Sequence, residues 1–356
     1  NGQLFFPASD DVHGIELWRS DGTTPGTVLV KDINPNNDGP GNHGSDPISL
    51  TVVNGKLFFV ALDYVGWDGG RLWKSDGTAT GTLQVKPNLK VVGSYYPGSS
   101  WLTDVAGTLF FVADDGAHGS ELWKSDGSTA GTTLVKDLLP GPGSSKITDL
   151  TNVNGTLLFT ALDDTGGRAL WRSDGTSAGT RPLQQVAPPN SDYASTSIAL
   201  SGDSLFFTAD DGAIGHELWV IPTVAGVGAA LISPTLAKAP AGSSAAIPIS
   251  YLNKGRMNAH AITLTATLDP RLAYIDDTSG VVPTVSGAKV TWRLPSAGFL
   301  DGRDFYLRVR LPDAPVGTRL PLTLWMVAAG LDGQTTEDSV QTEVAVANEY
   351  YLPLTR

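Results

Sequence analysis

Gly119-Ser-Glu-Leu-Trp-Lys-Ser-Asp-Gly-Ser-Thr-Ala-Gly-Thr132 stands complete once in this chain and returns in part at four other places. Tryptophan fixes the register of the copies at Trp18, Trp73, Trp123, Trp171 and Trp219. Ahead of each stands an apolar run: Leu4-Phe5-Phe6, Leu57-Phe58-Phe59, Leu109-Phe110-Phe111, Leu157-Leu158-Phe159 and Leu205-Phe206-Phe207. Units therefore begin at Asn1, Asn54, Ala106, Asn154 and Gly202, a period of about fifty residues built from strand and turn signals. One small twisted sheet cannot bury both faces until neighbours stack on it, so this period predicts an all-β fold with a five-unit β-propeller over residues 1–226.

Within a unit, the Leu-Phe-Phe run is nearly continuous in apolar residues and reads as a strand buried on both faces. The Glu-Leu-Trp segment alternates, which sets Leu122 and Lys124 opposite to Glu121 and Trp123. A third strand follows at Val28 to Lys31, Leu83 to Lys86 and Leu134 to Lys136, and a fourth lies ahead of the next unit, as at Ile48 to Val53 and Ile147 to Val153. Asp21, Asp76, Asp126 and Asp174 each precede Gly. In such a turn Asp accepts backbone hydrogen bonds and Gly takes the positive φ. Gly26-Thr27, Gly81-Thr82, Gly131-Thr132 and Gly179-Thr180 return the chain to the next strand. The fifth unit departs: Val-Ile-Pro-Thr follows Trp219, with no Asp-Gly and no third strand, and the first unit lacks the strand that should precede Asn1.

These units resemble the E-L-W-x-x-D-G-T repeat family of bacterial surface and secreted proteins, with Trp, Asp-Gly and Gly-Thr recurring in register. The resemblance implies a propeller-like fold outside the cytoplasm and no catalytic role. From about Val227 the composition shifts to Ala, Pro and Ser. Strand signals follow at Ile247 to Leu252, Ala261 to Leu268, Lys289 to Leu294, Phe305 to Leu311, Leu320 to Val327 and Ser339 to Val346. Six or seven short strands with turns between them predict a β-sandwich over residues 227–347. Asn253-Lys-Gly-Arg-Met-Asn-Ala259, Leu268-Asp-Pro-Arg-Leu-Ala-Tyr274, Val290-Thr-Trp292 and Pro315-Val-Gly-Thr318 look like the Ig-like repeat domain of bacterial cell-surface proteins, which implies spacer or adhesive duty. The tail over residues 348–356, Asn348-Glu-Tyr-Tyr-Leu-Pro-Leu-Thr-Arg356, resembles the Tyr-Leu-Pro-Leu tails of secreted proteins from filamentous phototrophic bacteria of the Chloroflexi type. Its Tyr350, Tyr351, Leu352, Pro353 and Leu354 are candidate assembly contacts, because an extended aromatic and leucine-rich tail wants a groove or a sheet edge to cover it.

Composition supports this reading. The 356 residues include 41 Gly and 23 Pro and carry a formal net charge of -12, which argues against nucleic acid or an anionic membrane as partner. With no Cys, neither a disulfide framework nor a thiolate metal site can form. No apolar run reaches the roughly 18 residues of a membrane span. The chain begins at Asn1 and not at Met, as expected of a processed product or a fragment.

Acidic pairs at Asp10-Asp11, Asp114-Asp115, Asp163-Asp164 and Asp210-Asp211 could offer oxygen ligands to calcium. They read instead as hairpin loops held by Asx turns, since none continues into an ion-wrapping D-x-D-x-D-G loop and the second unit has only Asp63. Glu16, Glu121 and Glu217 precede Leu-Trp, but Arg71 and Ala169 take that place in the other units. A glycosidase needs two carboxylates across a cleft, and a catalytic acid should be a lone departure from a repeat. These acids therefore read as fold maintenance, with Glu121→Gln expected to do little. No His among His13, His43, His118, His216 and His260 is spaced from another as zinc ligands are. The repeated tryptophans read as packing between units. Trp67, Tyr95, Tyr96 and Trp101 lie off the repeat and are candidate surface contacts. Three function classes stay open: a structural or adhesive surface protein that self-associates into a filament, a monomeric binding module for polysaccharide or protein, and a glycosidase-like enzyme. The first is the expectation, with no cofactor and no enzyme activity.

Overall fold

The computed structural model describes residues 2–10, 12–35, 44–62, 70–93, 102–162, 166–188, 198–202, 204–210, 215–223, 227–232, 237–255, 257–331 and 333–348. Every regular element among them is a strand. The chain divides into two compact units, Asn1–Ala199 with Phe206–Trp219, and Leu200–Leu205 with Val220–Arg356.

The repeats form five antiparallel sheets, each taking its strands in chain order apart from one extra strand in the third. The first holds β1 (Leu4–Ser9), β2 (Ile15–Ser20) and β3 (Val28–Lys31). The second holds β4 (Ile48–Val53), β5 (Lys56–Ala61), β6 (Arg71–Ser75) and β7 (Leu83–Gln84). In the third, β8 (Lys90–Val91) and β9 (Leu102–Val105) both pair with β10 (Thr108–Asp114), followed by β11 (Ser120–Ser125) and β12 (Thr133–Lys136). The fourth runs β13 (Thr148–Val153), β14 (Thr156–Leu162), β15 (Arg168–Ser173) and β16 (Arg181–Ala187). The fifth, among the described residues, holds β17 (Ile198–Ser201), β18 (Ser204–Asp210) and β19 (His216–Pro222). The strand ahead of each unit thus joins the sheet that follows it.

The hairpins explain why the units begin where they do. Asn54-Gly55, Ala106-Gly107 and Asn154-Gly155 all hold positive φ at both positions, 48° and 75°, 50° and 82°, 51° and 80°. Two consecutive left-handed residues make the two-residue turn whose twist matches the strands it joins. Farther along, the register slips beside the tryptophan, between Leu17 and Trp18, Leu122 and Trp123, and Leu170 and Trp171. A bulge at a repeated place re-aims the same side chain each time.

Each sheet has two different faces. Residues opposed across an antiparallel pair share a face, and Phe59 opposes Trp73 while Val60 opposes Leu72. One face, here the leading face, therefore carries the Leu-x-Phe-x-Ala positions with the tryptophan. The trailing face carries the intervening apolar residues with the leucine of Glu-Leu-Trp. Trailing residue Leu17 shares a buried cluster with leading residues Leu57, Phe59 and Ala61 of the next sheet. Leu72 does so with Leu109, Phe111 and Ala113, and Leu122 with Leu157, Phe159 and Ala161. Sheets one to four are joined by three copies of one interface. Both faces of the middle sheets are covered, so Glu121, Leu122 and Trp123 are all buried in spite of their alternating sequence.

The expected five-unit propeller is not shown as a closed ring. Sheets one to four pack in sequence order, β1 is an edge strand of the first and β19 an edge strand of the fifth. Among the described residues the first and fifth sheets have three strands each, where the second and fourth have four.

The second unit is a sandwich of two sheets around a single core. Its strands are β20 (Ala229–Ile232), β21 (Ala237–Ala239), β22 (Ser244–Asn253), β23 (Ala261–Leu268), β24 (Ala273–Asp277), β25 (Thr284–Ser286), β26 (Lys289–Leu294), β27 (Gly302–Arg310), β28 (Arg319–Ala329) and β29 (Thr335–Val346). One sheet runs β20-β22-β27-β24 and the other β21-β29-β28-β23-β26-β25. Inward residues alternate along β22, β27 and β28, the pattern of strands with one wet face. Trp292 fills the centre, edge-on to Phe305 with ring centroids 5.4 Å apart.

Candidate functional site

The repeated polar residues converge on the Asp-Gly loops, and these loops are held by their own side chains. In the third sheet Asp126 Oδ1 accepts from Ser128 N and Ser128 Oγ, both at 2.7 Å. Gly131 N donates to Ser128 Oγ at 2.9 Å, and Gly127 N to Ser125 Oγ at 2.9 Å. Thr132 Oγ1 donates to Ser128 O at 2.6 Å and meets Ser125 Oγ at 2.8 Å. Asp21, Asp76 and Asp174 hold Thr23, Thr78 and Thr176 in the same way. Hydrogen bonds from these hydroxyls and amides hold the carboxyls of Asp21, Asp76 and Asp126 below the usual carboxylate range. The two glycines of each loop have different causes. Gly127 supplies a φ of 87°, whereas a Cβ on Gly131 would sit 2.2 Å from Asp126 Cγ.

The tryptophans lie where one sheet meets the next. Trp73 stacks on Phe59 and Trp171 on Phe159, at 6.5 and 6.3 Å between centroids. The preceding sheet adds a cation: Lys31, Lys86 and Lys136 stand 5.6, 5.3 and 5.9 Å from the ring centroids of Trp73, Trp123 and Trp171. The same ammonium groups donate to Thr82 O, Thr132 O and Thr180 O at 2.8–2.9 Å. A desolvated cation over an indole contributes about 2 kcal/mol. Lys74 and Lys124 reach Gly127 O and Gly175 O of the next loop. The indole N–H groups of Trp18, Trp73, Trp123 and Trp171 are buried with no hydrogen-bond partner among the described residues. Cohesion between sheets therefore comes from apolar area, the lysines and side-chain bonds such as Asn54 Nδ2 to Gly107 O and Thr129 Oγ1 to Val85 O. Trp123 and Trp171 are buried, and Trp18, Trp73 and Trp219 are half-buried.

The glutamates do more than the sequence expectation allowed. Glu121 is fully buried, and its carboxylate accepts from Leu138 N, Ser145 N and Ser145 Oγ at 2.9–3.0 Å. Glu16 likewise takes Asn34 N, Ser45 N and Ser45 Oγ. Each pins the connection to the following sheet, and burial pushes both carboxyls above the usual range. Glu121→Gln is therefore not a minor change, because an amide cannot accept on both arms.

At the acidic loops Asp10 Oδ1 accepts from Val12 N and His13 N, while Oδ2 meets His13 Nδ1 at 2.7 Å. Asp115 holds Ala117 N, His118 N and His118 Nδ1 in the same geometry, and Asp114 holds Gly116 N. The bonds from His13 draw the Asp10 carboxyl down to about 2, and the aspartates raise His13 and His118. Asp11, Asp63, Asp163, Asp164, Asp211 and His43 lie outside the described residues. So do the candidate contacts Trp67, Tyr95, Tyr96, Trp101, Tyr350, Tyr351, Leu352, Pro353 and Leu354. Among the described residues no group of three or more His, Asp or Glu could hold a metal ion, and no helix is long and apolar enough to cross a membrane.

In the sandwich, sequence reading missed two polar junctions, one buried at Asn253 and one half-buried at Asp277. Asn253 Nδ2 donates to the carbonyls of Met257, Ala297 and Gly298, while its Oδ1 accepts from Gly228 N and Gly255 N. Asp277 Oδ2 accepts from Tyr274 OH and Trp292 Nε1 at 2.8 and 3.0 Å, and burial pushes the Tyr274 phenol up to about 12. The available signal was an Asn or Asp at the end of a strand. Chemically, these groups fix loops and strand ends.

No family model matches the chain, and no curated protein matches it. Similar solved structures include a non-cellulosomal cohesin from Archaeoglobus fulgidus, 18% identical over 34% of this chain and 92% of its own, with a TM-score of 0.27. BcpA, the major pilin subunit of Bacillus cereus, is 13% identical over 52% of this chain and 59% of its own, with a TM-score of 0.27. A puromycin hydrolase is 15% identical over 58% of this chain and 32% of its own, with a TM-score of 0.37. At these values the likeness assigns no activity to this chain.

Proposed function

We propose that this chain is an extracellular structural or adhesive protein that associates with copies of itself by covering its open sheet edges, through strand or tail exchange, to build a surface filament. The observation that supports the reading is that the sheets of the repeats are open, with β1 and β19 among their edge strands in the described residues. An unpaired edge is a template for another strand, and proteins that stay monomeric blunt or cover it. Head-to-tail contact between two different ends gives a ring if it closes and a filament if it does not. The repeat units fit the E-L-W-x-x-D-G-T family and a five-unit propeller whose closure comes from a neighbour, and the sandwich fits an Ig-like spacer. The engagement of Glu16, Glu121 and the loop aspartates in backbone bonds supports a non-enzymatic role.

A second reading, a monomeric module that binds polysaccharide or protein, draws on Trp325. It is 45% exposed on the outer face of the six-stranded sheet, opposite Thr265 and Ser339. The experiment that separates the readings removes residues 349–356. Loss of assembly with both units folded assigns it to tail exchange, and retained assembly assigns it to residues 1–348. An intact chain that stays monomeric at high concentration refutes the filament and leaves the binding module.

A further inference from the structure

We infer that the outer face of the six-stranded sheet in the sandwich is a binding site for a neutral polysaccharide, with Trp325 as its stacking platform. The inference rests on the second reading above, to which it gives a place and a ligand chemistry, and it does not depend on self-association. Its basis is one row of residues that crosses the sheet. Trp325 on β28 lies opposite Ser339 on β29 and Thr265 on β23. Thr265 in turn lies opposite Thr291 on β26, and Thr291 opposite Thr284 on β25. Residues opposed across a strand pair share a face. The residues to either side, Leu324 and Met326 on β28 and Leu264 and Ala266 on β23, are buried in the core, so the row itself faces outward. Crossing from β29 to β25 at about 4.8 Å per strand makes it roughly 19 Å long, the length of a short oligosaccharide.

No residue of this row is charged and none is aliphatic. Charge enters in the rows beside it, at Glu337 and Arg293 on one side and Lys289 on the other. The other sheet of the sandwich carries the usual solvated face: Asp304, Arg308 and Arg310 are exposed on β27, and Arg308 pairs with Asp276. Trp325 is 45% exposed. The hydroxyls of Thr265 and Thr291 meet at 3.2 Å, while those of Ser339 and Thr284 have no partner among the described residues. A pyranose ring matches this set of groups. The C–H bonds of its flat face stack on an indole, and the hydroxyls on its rim donate and accept as those of Ser and Thr do. A protein partner fits less well, because the tryptophan of a protein contact sits in a desolvated pocket and Ser and Thr are scarce around it. Here Thr265 and Ser339 flank the indole across the sheet and Thr323 stands beside it along the strand. The uncharged row, in a chain of net charge -12, selects a neutral polysaccharide over an anionic one.

The test is co-sedimentation of the full chain with cellulose, chitin, mannan and a neutral β-glucan, with alginate as the anionic control. Wild type should bind a neutral member of the panel better than alginate, and added salt should leave that binding unchanged. Trp325→Ala should weaken it about ten-fold or more. Trp325→Leu should weaken it as much and Trp325→Tyr far less, because stacking needs an aromatic plane and not merely an apolar side chain. Thr265→Val keeps the shape and removes one hydroxyl, and should weaken binding by a smaller factor. Circular dichroism of each variant should match wild type, and retained binding by Trp325→Tyr separates a lost contact from a lost fold. If no neutral polysaccharide binds, this inference and the polysaccharide arm of the second reading fall together. If Trp325→Leu binds like wild type, polysaccharide binding stands and this face is not its site. If alginate binds best and salt abolishes it, the neutral chemistry is wrong. If nothing binds and Trp325→Ala abolishes assembly, the face is a contact between copies and the inference fails.

Discussion

Replacing Gly131 by Ala tests whether the Asp-Gly loops are held as described. The backbone at Gly131 lies outside the left-handed region, so alanine would ordinarily be welcome there and would stabilise by about 0.4–1 kcal/mol through the unfolded chain. The obstacle is the carboxylate: an added Cβ would lie 2.2 Å from Asp126 Cγ and Oδ1 and 2.3 Å from Oδ2. Asp126 must then move, releasing Ser128 N and Ser128 Oγ, and Ser128 Oγ in turn loses its hold on Gly131 N. Two or three bonds at about 0.5–1.5 kcal/mol each, less the gain from alanine, give a loss near ~2 kcal/mol. Asp126→Ala alone should lose about 1–2 kcal/mol of the same bonds. In the Asp126→Ala background the obstacle is gone, so Gly131→Ala should change sign and stabilise. Urea unfolding followed by tryptophan emission reads all four corners of the cycle. Equal costs for Gly131→Ala in both backgrounds would refute the reasoning.

Trp123→Ala should cost about 3–5 kcal/mol, since it empties a buried site against the Lys86 ammonium; a loss under about 1 kcal/mol would mean the tryptophans do not join the sheets. Glu121→Gln should cost about 1–3 kcal/mol by leaving a buried N–H unmatched. Because burial raises the folded pKa of Glu121, its contribution is full below the unfolded carboxyl pKa and is lost as pH rises through the folded one. The measured penalty of Glu121→Gln should therefore shrink as pH rises across that window, and a penalty that grows would contradict the direction. Ala106→Asn should stabilise by about 1 kcal/mol, because Ala106 holds φ 50° in a turn where Asn54 and Asn154 serve the other sheets; a loss would show the turn is not strained. A chelator should leave the melting temperature unchanged, whereas bound calcium would add RT ln(1 + [L]/Kd) and a fall would expose it.

Much of this fold was legible because each local signal repeats. Strands β3, β4, β23 and β26 match their sequence segments residue for residue, and the Asp-Gly and Asn-Gly turns lie where Asn, Asp and Gly demanded them. Strands β24 and β25 were missed, since Ala273–Asp277 and Thr284–Ser286 carry almost no apolar pattern and pair at sheet edges. The structural duty of Glu121 was legible as a repeated residue, but its buried bonds to Leu138 and Ser145 were not, because nothing local to Glu-Leu-Trp encodes which loop lies above it. The Lys86 to Trp123 contact was likewise hidden, for it joins two sheets although both residues recur at fixed places. That Leu4 and Leu218 are exposed follows only from knowing which face each residue takes.

The most direct test of the central claim is sedimentation velocity of the full chain over a wide range of concentration. A self-associating structural protein predicts species heavier than the monomer that grow with concentration, without a discrete upper size where the contact fails to close. A single boundary at the monomer mass throughout would contradict it.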